Sequence, residues 1–366
     1  MSTQPVMILA GGTGGHVFPA LAVAKELKQR GVSVIWVGTE KGIESKVVPA
    51  AGFSLTLMHV QGLRGKGIKQ YIRAPLIIAR ALTESLKIVR EYKPCALLGM
   101  GGFVSGPCAL IVIIFGKPLI IHEQNAILGL TNRILAPLSK RMFIGFPVKD
   151  AKARMEYCGN PVRKELMSLA DPKVRLNRNK DRKRLLIVGG SLGSLSLNNI
   201  LPQAVKILSQ AMHIDVWHQT GANKRERVLW SYQQEDLHAQ VDEFIEDMPK
   251  AYGWADLIVC RSGAITLAEI AAVGLASVLV PYPYAVDDHQ TANAKSYVEA
   301  NAASLIPESE MTAEKLAEVL KALLSDDEKL LNMALAAKSL GQNNASQIVA
   351  DACMQACGSE ATGEAA

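Results

Sequence analysis

The stretch Leu9-Ala-Gly-Gly-Thr-Gly-Gly-His-Val-Phe-Pro-Ala20 decides the fold that this sequence predicts. A short apolar run, Pro5 to Leu9, precedes the glycines and is typical of a buried strand, while Ala20 to Leu27 has helical spacing. A strand, a glycine turn and a helix in succession bring backbone N–H groups to an anion at a helix N-terminus. We expect His16 at the mouth of that turn, where a titratable imidazole can meet a substrate.

Three interpretations of this turn stay open. Gly12 and Gly14 begin a G-x-G-x-x-G pattern, but Val17 stands where dinucleotide-binding folds have their third glycine. Glu40 is only roughly placed for the acid that such folds carry near the end of the second strand. The turn therefore predicts a site for an anionic or sugar ligand, with a nicotinamide site and a purely structural turn as alternatives.

The composition predicts a packed protein of two domains. The chain has 366 residues, which is more than one core usually covers. Apolar residues make up 49% and charged residues 20%, and these proportions exclude wholesale disorder. The net charge of +6 suits a phosphate-bearing ligand or an anionic membrane surface. Because no nucleic-acid motif accompanies that charge, we expect no nucleic-acid partner.

The cysteines and the apolar runs predict the cellular compartment in which the protein works. The six cysteines stand singly, without C-x-x-C pairs, so we expect buried reduced thiols in a reducing compartment. The N-terminus leads directly into a predicted strand, and no signal peptide is evident. The longest apolar run, Phe103 to Phe115, is shorter than the about 20 residues that cross a bilayer. We therefore expect no membrane-spanning segment.

Strand-like and helix-like runs alternate along both halves of the chain, which predicts parallel sheets covered by helices. The pattern lapses near Gly159 and restarts at Arg184-Leu-Leu-Ile-Val-Gly-Gly-Ser-Leu-Gly-Ser194, a second strand, glycine turn and helix. The predicted strands cover 34–37, 96–98, 119–122, 142–144, 216–218, 244–245, 257–260 and 278–280, and the predicted helices cover 70–92, 126–138, 264–273, 290–300 and much of 312–357.

This repetition predicts two doubly wound α/β domains with a ligand cleft between them, at the carboxyl ends of the strands. We expect a first domain over residues 1–159, a second over 160–340, a C-terminal helix over 341–357 and a loose tail over 358–366.

The second glycine turn is compatible with two kinds of site. Gly189-Gly-Ser-Leu-Gly193 fits the G-x-S-x-G nucleophile elbow of hydrolases, and Asp256 and His289 follow in the hydrolase order. The same residues also make an ordinary phosphate-binding loop in which the Ser191 hydroxyl donates. A serine hydrolase with Ser191 as its nucleophile therefore stays open as an alternative.

The stretch Cys260-Arg-Ser-Gly-Ala-Ile-Thr-Leu-Ala-Glu-Ile270 predicts an anion site at a helix start. Ser262 is placed as an N-cap, after which Ala264, Ile265 and Thr266 offer the N–H groups of the first turn. The positive end of the helix dipole suits a diphosphate. Glu269, one turn later, is then within reach of sugar hydroxyls, and a solvated helix acid is the alternative.

Two polar clusters follow predicted strands. His122-Glu-Gln-Asn125 ends one of them, where an α/β sheet places ligand contacts, and a helix-capping role for Asn125 is compatible with this. Asp287-Asp-His-Gln290 follows another, with metal binding as its alternative. Because the D-x-D pattern is absent and oxygen-rich metal sites need several convergent carboxylates, we expect no metal.

Apolar residues with basic neighbours follow the glycine-rich loop Gln61-Gly-Leu-Arg-Gly-Lys-Gly67. A second apolar block, Phe103 to Phe115, precedes Lys117. Helix stripes usually face the core, and an interfacial patch with basic flanks is the alternative. The residues after the loop are Tyr71, Ile72, Leu76, Ile77 and Ile78, with Arg73 and Arg80 interleaved.

Taken in order, these motifs resemble the MurG family of bacterial N-acetylglucosaminyltransferases, within glycosyltransferase family 28. The resemblance runs from about residue 5 to about residue 350. Its motifs are Gly11-Gly-Thr-Gly-Gly-His-Val-Phe-Pro19, His122-Glu-Gln-Asn125 with Gly129-Leu-Thr-Asn132, Gly159-Asn-Pro-Val-Arg163, Gly189-Gly-Ser191, Cys260-Arg-Ser-Gly-Ala264 through Glu269, and Asp288-His-Gln290. Phe103 stands where some relatives carry tyrosine, so a hydroxyl there is not essential.

The resemblance implies a GT-B architecture, in which two Rossmann-like domains face a cleft and a C-terminal helix crosses back to the first domain. It implies transfer of N-acetylglucosamine from UDP-N-acetylglucosamine to the C4 hydroxyl of the undecaprenyl-diphosphate-linked MurNAc-pentapeptide, with inversion, in peptidoglycan synthesis. No cofactor or metal is implied. A lipid acceptor also implies peripheral binding to the cytoplasmic leaflet of the inner membrane.

The resemblance also implies roles for individual residues. Glu269 takes the ribose hydroxyls, Ile245 contacts uracil, and Arg163, Ser191 and Gln290 line the same donor site. The remaining residues implied to bind the donor or the acceptor are Thr13, Gly14, Gly15, Asn125, Ala264, Ile265, Thr266, Leu267 and Ala268.

Direct displacement needs a base near the acceptor hydroxyl and a way to stabilise the departing UDP. His16 fits the base by type and position, with Glu123 as the second candidate. The helix start at Ala264–Thr266 and Arg163 can take up the charge of the leaving group without a metal. A nicotinamide-binding dehydrogenase and a non-enzymatic nucleotide-sensing module remain as alternatives beside the hydrolase.

Overall fold

The structure is a computed structural model that describes residues 4–59, 68–102, 104–148, 155–177 and 181–361, with the backbone alone described at 68–74 and 359–361. It divides into two compact units, Met1–Val162 with Asn344–Ala366 and Arg163–Asn343. The division falls three residues after the expected 159/160 boundary. The loop Gln61–Gly67, the side chains of Tyr71, Ile72 and Arg73, and Phe103 lie outside the described residues.

Within its described residues, the first unit contains one parallel sheet of seven strands in the order β3-β2-β1-β4-β5-β6-β7. Its strands are β1 Val6–Leu9, β2 Val34–Gly38, β3 Ser54–Leu57, β4 Ala96–Gly99, β5 Leu119–Glu123, β6 Arg141–Ile144 and β7 Met155–Tyr157. Its first helices are α1 Gly14–Gln29, α2 Glu44–Ala50, α3 Ile68–Tyr92, α4 Ser105–Ile114 and α5 Leu130–Leu135.

Strand β1 shows why this sheet is buried on both faces. Side chains alternate between the faces of a strand, so Val6 and Ile8 enter one core cluster while Met7 and Leu9 enter another. All four are inaccessible to solvent. A parallel strand covered on both sides reads as a continuous apolar run, which is why the sequence before the glycines predicted it.

Within its described residues, the second unit repeats the plan with a six-stranded parallel sheet in the order β10-β9-β8-β11-β12-β13. Its strands are β8 Lys183–Val188, β9 Ile214–Gln219, β10 Ala239–Asp242, β11 Leu257–Cys260, β12 Ala276–Leu279 and β13 Ala303–Leu305. Its helices are α6 Pro172–Leu176, α7 Leu195–Ser209, α8 Arg225–Gln234, α9 Met248–Trp254, α10 Ala264–Val273, α11 His289–Glu299, α12 Ala313–Leu324 and α13 Asp327–Ser339.

A final helix, α14 Ala345–Ala361, belongs to the first unit. Val349, Ala350 and Cys353 on this helix join the core cluster that contains Val17 and Val23 of α1. The return of the C-terminal helix to the first unit, which the resemblance implied, is therefore confirmed. In the part of the chain that the structure describes, no helix combines the length and the apolar character that crossing a membrane requires.

Several predicted elements need correction. The first helix begins at Gly14 and not at Ala20, and it contains Pro19. The predicted strand at 244–245 is wrong, because the strand of that region is β10 at 239–242. The region 312–357 is helical as predicted, but its last helix continues through Ala361 into the expected tail. The helix expected over 126–138 covers only 130–135, followed by a short 3-10 turn.

The expectation of six reduced thiols is also wrong, because Cys95 and Cys357 form a disulfide. Cys95 directly precedes β4 and Cys357 lies in α14, so the bond joins the last helix to the amino end of the central strand of the first sheet. The remaining cysteines, Cys108, Cys158, Cys260 and Cys353, are free and buried. Burial raises the pKa of the Cys260 thiol to about 12, which keeps it protonated and unreactive.

Candidate functional site

The first group of candidate residues lies where the strand order of the first sheet reverses. Strands β1 and β4 are neighbours, and the chain leaves them toward opposite edges of the sheet. Crevices at the carboxyl ends of such strands are where open α/β sheets bind ligands. His16 follows β1 and Gly101 follows β4. A Cβ built on Gly101 would lie 3.2 Å from His16 Nε2, so the imidazole lies at this reversal point.

The first glycine turn runs directly into helix α1. Thr13 is the N-cap and has extended backbone angles, while Gly14, Gly15 and His16 form the first helical turn. His16 therefore lies on the helix and not in the turn before it. The backbone N–H groups of His16 and Val17 donate to the Thr13 carbonyl, whereas the amides of Gly14 and Gly15 precede these first bonds of the helix and lie beside the imidazole.

The Glu123 carboxylate is buried and holds the loop after β5. Its Oε1 accepts from the backbone N–H of Asn125 at 3.1 Å. Its Oε2 accepts from the N–H of Gly129 at 3.0 Å and from Asn132 Nδ2 at 2.9 Å. The N-cap of α5 is Gly129, so the capping role suggested for Asn125 is wrong. Because both of its oxygens accept hydrogen bonds, the Glu123 carboxylate orients the residues that donate to it.

The second group lies at the matching reversal in the other sheet, between β8 and β11. Ser191 is exposed in the glycine loop after β8. The positive φ angles of this loop belong to Gly190 and Gly193 and not to Ser191. A nucleophile elbow strains the serine itself, so this loop lacks the geometry of a hydrolase nucleophile.

The other residues of the hydrolase alternative are also misplaced. Asp256 precedes β11 and accepts from the backbone N–H of Arg184 at the start of β8. Arg184 is four residues before the end of that strand at Val188, which is about 13 Å of strand. His289 Nδ1 instead lies 2.7 Å from the carbonyl of Val286. The structure therefore does not assemble a triad around Ser191.

Helix α10 begins at the carboxyl end of β11, as its sequence predicted. Its N-cap is Gly263, so the assignment of Ser262 as N-cap is wrong by one residue. Ser262 Oγ donates instead to the carbonyl of Gln290 at 2.8 Å. The side chain of Gln290 accepts from the N–H of Tyr282 at 2.9 Å. These bonds join the start of α10 to the start of α11.

The carboxylate of Glu269 is buried and lies between two donors. Arg163 Nε lies 3.0 Å from its Oε1, and the Tyr252 hydroxyl donates to its Oε2 at 2.9 Å. Burial raises the pKa of Glu269, and the charge of Arg163 and both hydrogen bonds oppose that rise. The interpretation of Glu269 as a solvated helix acid is therefore wrong.

Tyr252 is the residue of this cluster that the sequence analysis missed. It lies on α9, is buried, and has a pKa raised well above its ordinary value by burial and by the adjacent Glu269. It stands 17 positions before Glu269, and a lone tyrosine in a short apolar helix carries no motif. Only the placement of α9 shows the contact.

The predicted residues thus fall into one group in each unit. The first unit holds Thr13, Gly14, Gly15, His16, Glu123 and Asn125, and the second holds Arg163, Ser191, Ile245, Gln290 and residues 264–269. Ile245 is buried just beyond β10. Within the described residues, no three side chains of His, Cys, Asp or Glu are grouped so as to hold a metal ion.

Comparison with known families matches both units. The Glycosyltransferase family 28 N-terminal domain matches residues 6–144, and the Glycosyltransferase family 28 C-terminal domain matches residues 184–349. The first match covers β1 through β6, and the second begins with β8 and extends into α14. Together they cover most of the chain.

Individual relatives match over nearly the whole length. Proteins of Alkalilimnicola ehrlichii and Nitrosococcus oceani are 47% and 45% identical, over 96% of this chain and 99% and 98% of their own. Both carry the name UDP-N-acetylglucosamine--N-acetylmuramyl-(pentapeptide) pyrophosphoryl-undecaprenol N-acetylglucosamine transferase. The crystal structure of Acinetobacter baumannii MurG is similar with a TM-score of 0.81 and 39% identity, over 96% of this chain and 99% of that one. The chain belongs to glycosyltransferase family 28.

Proposed function

We propose that this protein transfers N-acetylglucosamine from UDP-N-acetylglucosamine to the C4 hydroxyl of the undecaprenyl-diphosphate-linked MurNAc-pentapeptide, inverting the anomeric centre. The observation that carries this proposal is the identity of 45–47%, over nearly the whole chain, to enzymes whose names state the same donor and acceptor. The arrangement of charged and polar groups around α10 supports it independently.

The donor binds to the second unit in this proposal. The first-turn amides of α10 and its dipole receive the diphosphate, since the helix begins at Ala264 with no side-chain cap over them. Glu269 takes the ribose hydroxyls, and Ile245 contacts uracil. Ser191, Gln290 and the residues Ile265, Thr266, Leu267 and Ala268 complete this donor site.

The charge that develops on departing UDP is stabilised by the same groups. Arg163 is placed 3.0 Å from Glu269 and so stands beside the proposed ribose position. A guanidinium and a helix N-terminus both favour negative charge, and they are already in place before the bond breaks. This chemistry needs no cofactor from outside the chain.

His16 is the base in this proposal. Its Nε2 lies beside Gly101 and Asn132, at the reversal point of the first sheet, whereas Glu123 already accepts from three residues. A base must reach the acceptor hydroxyl within hydrogen-bond distance, and the partly exposed imidazole is better placed for that than the buried carboxylate. In this proposal Thr13, Gly14, Gly15 and Asn125 contact the acceptor.

The transfer is tested with labelled UDP-N-acetylglucosamine and a lipid-linked MurNAc-pentapeptide acceptor. We expect His16→Ala to lower kcat by about 10²–10⁴, because it removes general-base catalysis. We expect Glu269→Ala mainly to weaken donor binding, by about 10–100-fold in Kd measured by calorimetry. Unchanged turnover in the His16 variant would move the base to another residue.

The alternative functions predict different outcomes in simple binding experiments. A fluorophosphonate probe would label Ser191 in a serine hydrolase, and calorimetry with NADH would show binding in a nicotinamide enzyme. A nucleotide-sensing module would bind UDP-N-acetylglucosamine without transferring the sugar. We expect binding of UDP-N-acetylglucosamine with transfer, no labelling of Ser191 and no heat with NADH.

We also propose that the first unit binds the cytoplasmic leaflet of the inner membrane peripherally. Leu76 on α3 and Ile114 on α4 are each 75% exposed, and α3 and α4 pack against each other. Phe115 is also exposed, and Arg80 stands on the same stretch of α3. Exposed apolar groups beside cations suit an anionic lipid surface and would bring the enzyme to its lipid acceptor.

Vesicle flotation tests this membrane proposal. We expect enrichment on vesicles that contain anionic phospholipid, and we expect Ile114→Ser to reduce the bound fraction several-fold because it removes exposed apolar area. The control is Trp230→Ser, which changes an exposed apolar residue on α8 in the second unit and should leave flotation unchanged. No enrichment of the unmodified protein, with or without acceptor, would rule the proposal out.

A further inference from the structure

Glu44 is a buried acid to which the proposed mechanism assigns no role. It opens helix α2, just after β2, and it is inaccessible to solvent. Its Oε2 accepts from the backbone N–H of Gly12 at 2.9 Å. Its Oε1 accepts from the backbone N–H and the hydroxyl of Thr39, at 2.8 and 2.7 Å. The carboxylate therefore joins the loop after β2 to the first glycine turn.

Three glycines make room for this carboxylate. A Cβ on Gly11 would lie 2.5 Å from Glu44 Oε1, and a Cβ on Gly38 would lie 2.6 Å from its Cγ. A Cβ on Gly42 would overlap Oε2. Glycines at all three positions leave a space that fits one carboxylate, so the surrounding backbone is built around Glu44.

The chemistry of these contacts specifies a carboxylate. Both oxygens receive donors, namely two backbone N–H groups and one hydroxyl, and an ionised carboxylate accepts at both oxygens. A glutamine of the same size accepts at only one atom and presents an NH₂ group to the other donor. Glutamine would therefore release either Gly12 or Thr39.

Glu44 holds Gly12, which directly precedes the residues that the proposed mechanism uses in the first unit. Gly12 has a φ of 89°, a left-handed conformation that glycine adopts easily, and it is followed by Thr13 at the N-cap of α1. Thr13, Gly14, Gly15 and His16 then form the start of that helix. Gly12 is exposed to solvent, and the hydrogen bond from its backbone N–H to Glu44 holds it on the protein side of the turn.

We propose that Glu44 is a positioning residue for the transfer reaction, holding the first glycine turn so that Thr13 through His16 meet the acceptor in one geometry. This inference rests on the function proposed above.

Two variants disturb the contact in different ways. Glu44→Gln removes one acceptor, and Gly42→Ala places a methyl group where Oε2 lies while leaving the charge in place. We expect each to lower kcat about 10²-fold, because small displacements of catalytic groups cost about that much. The Kd for UDP-N-acetylglucosamine should stay within about twofold, since the donor binds the second unit.

Three controls separate positioning from general damage to the fold. Thr39→Val removes only the hydroxyl and keeps the bond to Gly12, so kcat should stay within about threefold. Ser85→Ala deletes a buried hydroxyl on α3 in the same unit, away from the turn. Gly358→Ala adds a methyl group in open space on α14. Both of these should keep the kcat of the unmodified protein.

Amide hydrogen exchange over residues 10–16 gives a readout that does not depend on activity. We expect about tenfold faster exchange at the turn in Glu44→Gln and Gly42→Ala, and no change in the controls. The midpoint of the pH profile of kcat should stay unchanged, because a positioning residue transfers no proton. If Glu44→Gln does not fold, Glu44→Asp keeps the charge but shortens the reach, and the same losses are expected.

The outcomes are distinguishable. Unchanged exchange at the turn, a kcat within about threefold of the unmodified protein, or a shifted pH midpoint would each overturn the positioning role. A parallel loss of donor affinity would do the same. If the unmodified protein transfers no sugar, the proposed function fails by itself. Hydrogen exchange then decides whether Glu44 holds the turn, and calorimetry with donor and acceptor decides whether the turn serves binding.

Discussion

The proposed role of Glu269 depends on both its burial and the charged and polar groups around it. Burial raises its pKa, whereas the charge of Arg163 and the hydrogen bonds from Arg163 and Tyr252 oppose that rise and orient the carboxylate. An oriented carboxylate can accept from two adjacent hydroxyls of a ribose, whereas a protonated one would lose that capacity in part. The proposed donor site therefore depends on two residues, Arg163 and Tyr252, that lie outside the helix that carries Glu269.

The Tyr252 hydroxyl gives the first prediction at this scale. Its hydrogen bond lowers the pKa of Glu269, so Tyr252→Phe should raise that pKa further. Protonation of Glu269 would then begin at a higher pH, and donor affinity should fall earlier as the pH is lowered. We expect about a 10–150-fold weaker Kd near neutral pH, which corresponds to the about 1.5–3 kcal/mol of one hydrogen bond to a charged group. Calorimetric titration with UDP-N-acetylglucosamine between pH 5 and pH 8 measures both effects.

Tyr232→Phe is the matched control for this experiment. Tyr232 is also a fully buried tyrosine of the second unit, and its hydroxyl lies 3.0 Å from His218 Nδ1. Removing that hydroxyl should leave donor affinity and its pH dependence unchanged. If donor affinity falls at the same pH in Tyr252→Phe as in the unmodified protein, then Tyr252 does not shift the pKa of Glu269.

At the scale of elements, the segments that the sequence predicted most accurately are those that pack against other elements on both faces. The strand at Leu257–Cys260 and the helix at Ala264–Val273 have the bounds that their apolar pattern predicted. Strand β10, with the sequence Ala-Gln-Val-Asp, was missed because it is a sheet edge with only Val241 buried. An edge strand forms by pairing with its neighbour, here β9, and this pairing does not require a strongly apolar sequence.

The candidate site shows the same limit. Glycine turns, the start of α10 and Glu269 follow from local sequence, because each is a backbone feature or lies within one helix. Glu44 and Tyr252 were missed, since Glu44 meets Gly12 across 32 residues and Tyr252 meets Glu269 from another helix. Contacts of this kind arise from the packing of elements, and no spacing in the sequence encodes them.

The glycine loop after β8 gives a prediction about elements. Gly193 and Gly221 pack backbone against backbone, and a Cβ on either would overlap main-chain atoms. Gly193→Ala should therefore destabilise the second unit by about 2–4 kcal/mol, from overlap added to a left-handed φ of 71°. Urea denaturation followed by circular dichroism measures this loss.

A second glycine in the same loop is the control. Gly190 has a φ of 86°, but a Cβ there would meet nothing within 4 Å. Gly190→Ala therefore carries the backbone strain alone and should cost about 1 kcal/mol. The difference between the two variants isolates the packing of the loop. Equal losses would mean that strain, and not the contact with Gly221, explains the glycine at position 193.

At the scale of the whole molecule, each unit carries its own parallel sheet and its own core clusters. The first unit is assembled from two separate parts of the chain, 1–162 and 344–366. Its last helix must therefore return after the whole second unit has been made. The disulfide between Cys95 and Cys357 fixes that return, across a sequence separation of 262.

The last prediction concerns this bond. Closing a long loop stabilises a fold mainly by restricting the unfolded chain, by about 5–6 kcal/mol for a loop of this length in the chain-entropy account. Reducing the bond with dithiothreitol should therefore lower the Tm of the first unit by several degrees. In the reducing compartment proposed for this enzyme, the two thiols would be free and the lower stability would apply. Differential scanning calorimetry with and without reductant measures the shift.

Two cysteine variants make the argument specific. Cys357→Ser cannot form the bond, so its Tm should match that of the reduced protein and should not respond to reductant. Cys353→Ser changes a buried, free cysteine one turn earlier on the same helix and should keep the full response. A response that survives in Cys357→Ser would assign the stabilisation to another pair of thiols. The absence of any response in the unmodified protein would mean that the disulfide does not contribute to holding α14 in place.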